Sequence, residues 1–512
     1  MLQTPKPSII RRALIGLAWG VTIIALLCAL SGWQGRRAWN AYRTAYESRV
    51  GSLDFKSYVP KEIPDAENFA AIPLVRAWFD APYTNSVMAT DDFNRVQPAK
   101  DVSLLCVRGG DQPHFCDLVA WRDAFAEADK IAGPVTNVAL SGRFDARSRA
   151  EAAPAVLAAL RDDDGLWDTL REASQRPRVR YPVDYLAEDP WGIRLPHLAR
   201  IKGCCLRLEL KACAELALNQ TTNALSDIKL ALYLADSVKD EPIVISWLIR
   251  VVSVQLAIGP VWEGLAEHRW SDAQLQELQS WFDHYDFAAG LRNCLRVERT
   301  AGVLTMDLVG RKDLPELGTF ADTTRALTAI ARFAPPGWRD REKLHYCQLF
   351  DLEFQGAWDS AGRRFSPSQV ISNAAAFDAA IAGSWQPILH HRLMARLLLP
   401  ALGRTPFKAA AAQTAADQAA ISCALERYRL ATGDFPAELQ ALSPKFMAAL
   451  PYDVITGAPY QYQRTADGRF TLASVGADDK NVGGTAGTGI TGQLKVWFAV
   501  GKGDWTWGYP RE

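Results

Sequence analysis

The sequence predicts a mainly α protein in three parts: an N-terminal transmembrane helix, a large helical domain and a small α+β module at the C-terminus. Three observations carry that class. Ala13 to Trp33 is a stretch of 21 residues without a charge. Apolar residues then recur at helical spacing through most of residues 151–405. From Ala409 an alanine-rich helix runs to Gly433, and short alternating segments follow it. The divisions read from these patterns are a tail at 1–12, the membrane helix at 13–33, a stalk and loop-rich region with a hairpin at 34–150, the helical domain at 151–405, and the α+β module at 406–512.

The membrane helix is justified by length. At 1.5 Å per residue the uncharged run spans about 30 Å, the thickness of a hydrocarbon core. Lys6, Arg11 and Arg12 precede it, and Arg36, Arg37 and Arg43 follow it, so basic flanks alone do not orient it. A first apolar segment after a short basic tail reads as a signal-anchor with its N-terminus inside. The expected location is therefore the inner (cytoplasmic) membrane, single-pass, with the C-terminal part outside the cytoplasm. A cleaved signal peptide is the alternative, with Ala29-Leu-Ser31 as the small-residue cleavage site. Leu27 before Cys28 excludes a lipoprotein reading.

Residues 34–60 read as a polar, partly helical stalk, and prolines at 60, 64, 73, 82 and 98 punctuate the loops beyond it. Ser103-Leu-Leu-Cys-Val and Phe115-Cys-Asp-Leu-Val read as two strands around Arg108-Gly-Gly-Asp-Gln-Pro. Such a hairpin brings Cys106 and Cys116 together, as a disulfide or as two reduced thiols. Nine cysteines without a CxxC pair give no support to a zinc-ribbon or thioredoxin-like site.

The helical domain contains one stretch that needs a decision. Ile243 to Leu265 is apolar enough for a second span but carries Arg250 and Gln255 near its middle, and a mid-span Arg costs about 2.5–3.5 kcal/mol. Asp240-Glu241-Pro242 is an ordinary soluble helix start, so the stretch reads as a buried core helix. Residues 197–236 form a helical hairpin, with Ile201, Cys205, Leu208, Ala212 and Leu216 one turn apart, as are Ala224, Ile228, Ala231 and Ala235. Ser271 with Gln274 makes a capping box for the next helix. Breaks are expected at Pro335-Pro336-Gly337 and Ser366-Pro367.

In the C-terminal part, Tyr460 and Tyr462 alternate onto one face and Phe470 and Leu472 onto another, with Asp467-Gly468 as the turn of a hairpin. That hairpin is expected to cover the long helix near Leu425 and Tyr428, and Val496 and Phe498 are expected to extend its sheet.

Two resemblances add to this reading. Leu218 to Leu234, with Ala212, Ala224, Ile228 and Ala231, resembles a single tetratricopeptide (TPR) unit, although solenoids need about three. The series Ala424-Leu-Glu-Arg-Tyr428, Gly433-Asp-Phe-Pro436, Leu450-Pro-Tyr-Asp453, Gly457-Ala-Pro-Tyr-Gln-Tyr462 and Ser474-Val-Gly-Ala-Asp478 resembles the globular part of a type II secretion major pseudopilin. Pseudopilins begin with a processed segment contiguous with this helix. Here the module starts some 370 residues beyond the membrane run, so assembly as a pilin is not expected. The whole chain also resembles large membrane-anchored bacterial proteins of no agreed activity. The pseudopilin resemblance implies a calcium loop with Asp478, Asp479 and Asn481 as oxygen ligands, and Asp453 as a weaker candidate. A solvated turn is the competing reading.

Composition and motifs bound the function. With 57 basic and 57 acidic residues the chain has no net charge to attract polyphosphate, so nucleic acid is not an expected partner. Gly487-Thr-Gly-Ile-Thr-Gly492 matches GxGxxG but precedes a strand-like segment, the wrong context for a dinucleotide. Ser226-Asp-Ile-Lys229 lies inside a helix without companion motifs, and His390-His391 are adjacent, so their side chains diverge. The expected function is binding or assembly in the cell envelope, with the bilayer as one partner through residues 13–33 and proteins as the others. A periplasmic hydrolase and an accessory of a secretion or pilus-like machine are the alternatives. Convergent acids or a Ser–His pair in a pocket would favour the hydrolase.

Overall fold

A computed structural model describes residues 9–80, 96–98, 114–131, 133–187, 190–308, 337–359, 363–383, 386–477 and 504–509. The fold is mainly helical and begins with a long apolar helix. That helix, α1 (Ile9–Glu47), is continuous over 39 residues, about 58 Å at 1.5 Å per residue. Its first half projects from the molecule with Leu14, Leu17, Trp19, Ile24, Leu26 and Leu27 exposed. Its last three turns do not behave as a free stalk. Trp39 and Tyr46 are buried in the main core, which extends without interruption from Trp39 to Trp507.

Short helix α2 (Pro73–Asp80) leads to a smaller unit. There α3 (Leu118–Ala128) packs on α4 (Ala146–Ala159), beside a parallel strand pair, β1 (Val96–Pro98) and β2 (Val135–Val138). The expected second strand at 115–119 is corrected here. Asp117 accepts the Ala120 N–H and caps α3, so Leu118 and Val119 open a helix. Cys106 and the rest of the expected hairpin lie outside the described residues, and Cys116 is buried.

After α5 (Asp164–Ala173) comes the predicted helical hairpin, α6 (Pro196–Ala217) and α7 (Thr221–Asp236). Asn219 turns the chain between them in the left-handed region at φ 60°. Small residues Ala212, Ala224 and Ala231 are buried between the helices. α8 (Val244–Ala266) packs on both. It is the second stretch apolar enough to cross a membrane, but 72% of its apolar window is buried inside the protein. Its Arg250 pairs with Asp236 at 2.9 Å and lies over the Tyr285 ring, which explains how a core helix holds a mid-helix charge.

α9 (Asp272–Phe282) starts with the expected Ser271–Gln274 capping box. α10 (Phe287–Leu308) and α11 (Trp338–Phe354) pack against each other and carry the end of α1. A two-stranded turn, β3 (Trp358–Asp359) and β4 (Arg364–Phe365), leads to α12 (Pro367–Ile381), capped by Ser366 with Pro367 in the first turn. Short helices α13 (Gln386–Leu389) and α14 (Leu393–Leu398) follow.

α15 (Thr405–Thr432) ends at Gly433 in the left-handed conformation, φ 92°. It is buried along almost all of Ala409–Glu426, where the many alanines let α8, α9 and α10 approach on several sides. Against it lies an antiparallel sheet of β5 (Gln461–Arg464), β6 (Phe470–Ser474) and β7 (Trp505–Trp507), in that order. Three details differ from expectation. Tyr462 pairs directly with Leu472, so the tyrosine and the Phe470–Leu472 side share one face, and the Tyr462 and Phe470 rings meet at 6.1 Å. The hydrogen-bonded contact with α15 falls at Asp417 and Gln418, where Tyr460 donates to Asp417 and Gln418 donates to the Leu472 and Trp505 carbonyls. Tyr428 packs on Phe446 instead. The third strand is Trp505–Trp507, whereas Val496 and Phe498 lie outside the described residues.

Candidate functional site where the first helix enters the core

The junction is built where α1 leaves its exposed apolar half and enters the core. α11 runs beside it in the same direction. Gly337, at φ 87°, sits so close that a Cβ there would lie 2.5 Å from the Gly32 Cα, and a Cβ on Gly35 would lie 2.8 Å from the Gly337 carbonyl oxygen. Backbone therefore meets backbone, and only glycine fits. Two turns further on, the Lys343 ammonium lies 5.7 Å from the Trp39 ring centre.

Arg299 of α10 closes the junction. Its guanidinium donates to the Tyr42 hydroxyl at 2.9 Å and to Asp351 Oδ1 at 2.6 Å, while Tyr42 donates to Asp351 Oδ2 at 2.8 Å. The same guanidinium lies between the Tyr46 and Phe350 rings, 4.7 Å and 4.6 Å from their centres. Burial pushes the Tyr42 and Tyr46 phenols up, so both stay neutral donors. Burial works against the Arg299 charge, but Asp351 outweighs it and holds the guanidinium above its ordinary value. The arrangement can transmit force and fix orientation. No group in it is placed to attack a substrate.

A second carboxylate braces the same region. Glu342 of α11 accepts the N–H groups of Leu393 and Met394, each at 3.3 Å, and so caps α14. Burial raises its carboxyl from 4.5 to about 7, against the pull of those two N–H groups. A raised carboxyl binds more protons folded than unfolded between these values. Its contribution is thus fully present below about pH 4.5 and lost as the pH rises through 7. Glu342→Gln removes this titration. The stability of the variant relative to the native chain is expected to improve by about 3 kcal/mol between pH 4.5 and pH 8. Chemical denaturation at the two pH values checks it, and an unchanged difference would show that Glu342 stays charged.

Other polar clusters were candidates for chemistry. His197 Nε2 lies 2.8 Å from Glu241 Oε1, and Ser246 donates to Glu241 Oε2 at 2.5 Å. The carboxylate stands between serine and imidazole, so the histidine cannot take the serine proton as in a Ser–His–acid triad. The Tyr181 and Phe79 rings stack on the imidazole at 4.3 Å and 5.3 Å, and the histidine is fully buried. On α6, Lys211 bridges Glu215 at 2.6 Å and Asp227 at 2.9 Å, and Arg171 also pairs with Asp227. Burial and the Asp227 charge raise the Glu215 carboxyl well above its ordinary value. This network ties α5, α6 and α7 together.

The predicted calcium ligands Asp478, Asp479 and Asn481 lie outside the described residues. Asp453 is described, and its carboxylate is already engaged. Oδ1 accepts from the Ile455 N–H at 2.9 Å and the Ser474 hydroxyl at 2.8 Å, and Oδ2 from the Val475 N–H at 3.4 Å. It holds the end of β6. Among the described residues no group of three or more His, Cys, Asp or Glu is arranged to hold a metal ion. His390 and His391 do not act as a pair. His391 instead faces His345, with ring centres 6.0 Å apart.

The Arg299 clamp and the glycine contact were not found by sequence reasoning. One signal was present: Trp39, Tyr42 and Tyr46 recur at i, i+3 and i+7, the stripe of a helix packed on one side. Compared with protein-family models, curated proteins and solved structures, the chain matches none.

Proposed function

We propose that this is a single-pass protein of the inner (cytoplasmic) membrane whose helical body lies outside the cytoplasm and serves binding or assembly in the envelope. The observation that carries the reading is the continuity of α1. One helix passes from an exposed apolar half, long enough to cross a bilayer, into a buried junction locked by Gly337 and Arg299. The body is thereby mounted on the membrane without a flexible linker, as suits a protein that presents a surface at a fixed height. Full-length protein is expected to remain with membranes after a carbonate wash. Release of a shortened form with its N-terminus near Gly32 would show a cleaved signal and sink the anchor. Protease added to spheroplasts is expected to digest the body, and protection would reverse the orientation.

A second reading is an accessory of a type II secretion or pilus-like machine. It is favoured by the long helix α15 packed on the antiparallel β5–β7 sheet, the arrangement that the pseudopilin resemblance implies. Loss of the chain should then impair export of the machine's substrates, and unimpaired export would remove this reading.

A further inference from the structure

We propose that the body touches the same bilayer a second time, through the turn Leu389–Arg392, whose exposed leucine dips into the headgroup layer beneath a rim of arginines. The inference rests on the anchor reading above and adds a contact to it.

The level of the turn follows from the pairing of α1 and α11. Gly337 meets Gly32, Lys343 meets Trp39, and Asp351 meets Tyr42, so the two helices run side by side outward from the level where the apolar run ends. Trp338, one residue after Gly337, therefore stands at the level where the apolar run ends. The Trp338 ring lies 6.1 Å from the His391 ring, and His345 Nδ1 lies 3.2 Å from the His391 carbonyl oxygen. The turn is thus held against the first two turns of α11, within about 10 Å of the apolar boundary at 1.5 Å per residue. At that height Leu389 is 72% exposed, more than any other large apolar side chain described in the body or on α1. Leu186 and Ile371 are also exposed in the body, and what sets Leu389 apart is its level beside the apolar boundary, where an open leucine can enter a headgroup layer.

Charge points to the same occupant. Arg36, Arg37 and Arg339 are exposed around the exit of α1, and Arg341 and Arg392 are half-buried beside it. Arg341 donates to Gln34 and Arg392 to the Ala380 carbonyl, which fixes both on this side of the body. Asp340 is an acid among them, the exposed Asp307 is matched by Lys343, and Glu342 is turned inward to cap α14. A positive rim around an exposed leucine complements an anionic lipid surface. A second copy of the chain would bring like charges together.

The test uses the full chain in nanodiscs of equal parts phosphatidylglycerol and phosphatidylcholine. A nitroxide is placed at Leu389→Cys in a background carrying Cys28→Ser and Cys106→Ser, the other cysteines being buried. The control site is Leu430→Cys, exposed at the end of α15. That helix begins near Glu353 at the far end of α11, and its Gln413 accepts the Phe287 N–H at the far end of α10, so Leu430 lies well away from the bilayer. Oxygen, which enters lipid, should relax the label at 389 strongly, and a water-soluble nickel chelate only weakly. The order should invert at 430. In pure phosphatidylcholine the nickel accessibility at 389 should rise severalfold. A water-like profile at 389, or one closed to both relaxants as in a protein contact, overturns the proposal. An unchanged profile in phosphatidylcholine overturns the part played by the arginines. Failure of the chain to enter nanodiscs at all would instead mark failure of the anchor.

Discussion

Gly337→Val is expected to detach α1 from the body. The residue sits at φ 87°, where a β-branched side chain is strained, and its Cβ would fall 2.5 Å from the Gly32 Cα. Neither backbone can yield without separating the helices. Strain and overpacking together cost about 2–6 kcal/mol. In native membranes the helical backbone at Arg36, Arg37 and Arg43 is packed and should resist trypsin. In the variant, cleavage there should release the body into the supernatant. Equal protection of both proteins would show that the glycine contact does not hold the junction and that the Arg299 clamp suffices.

The second large effect is expected at the C-terminal end of α8. Arg149 of α4 is fully buried and pairs with Glu263, with Glu267 at 3.0 Å, and with the face of Phe115 at 4.4 Å. Glu263 also accepts the Cys116 N–H at 2.5 Å, so this cluster ties the α3–α4 unit to the main core. Arg149→Met leaves the buried Glu263 carboxylate without its guanidinium, which costs about 3–5 kcal/mol. Adding Glu263→Leu should recover most of that loss, because a packed apolar pair replaces a buried ion pair at little cost. Denaturant midpoints of the detergent-solubilised proteins measure both. A loss under about 1 kcal/mol for the single variant, the range of an exposed pair, would mean that water reaches the cluster.

Local rules made parts of this fold legible in the sequence. The capping box at Ser271, the stop at Gly433, the break at Ser366-Pro367 and the turn at Gly468 each depend on a few adjacent residues, and each stands where it was read. The burial of Val244–Ala266 was also readable, because a mid-helix arginine excludes lipid more firmly than the apolar count invites it. Reading failed where a distant partner decides the outcome. Phe115–Val119 has strand-forming residues, but Asp117 caps a helix that packs on α4, and tertiary packing overrides propensity. Residues 34–47 looked like a stalk because the eye counts their charges, yet the aromatic stripe at 39, 42 and 46 finds α11 and α10 from three hundred residues away. The face shared by Tyr462 and Leu472 depends on register, which alternation within each strand does not specify. The candidate site lies in the same class. Gly337 against Gly32 and Arg299 against Tyr42 are meetings of separate segments, with no local motif to announce them.

The unbroken path of α1 has a mechanical consequence. If α1 is the proposed anchor, a helix that is stiff from lipid to core acts as a lever arm, with the bilayer gripping one end. When the hydrocarbon layer is thinner than the apolar run, the helix accommodates by tilting, commonly by about 20°. A point on the body about 30 Å beyond the pivot then swings sideways by about 10 Å, the diameter of a helix with its side chains. Under the proposed anchoring, membrane thickness would become an input converted into displacement at the far surface of the body.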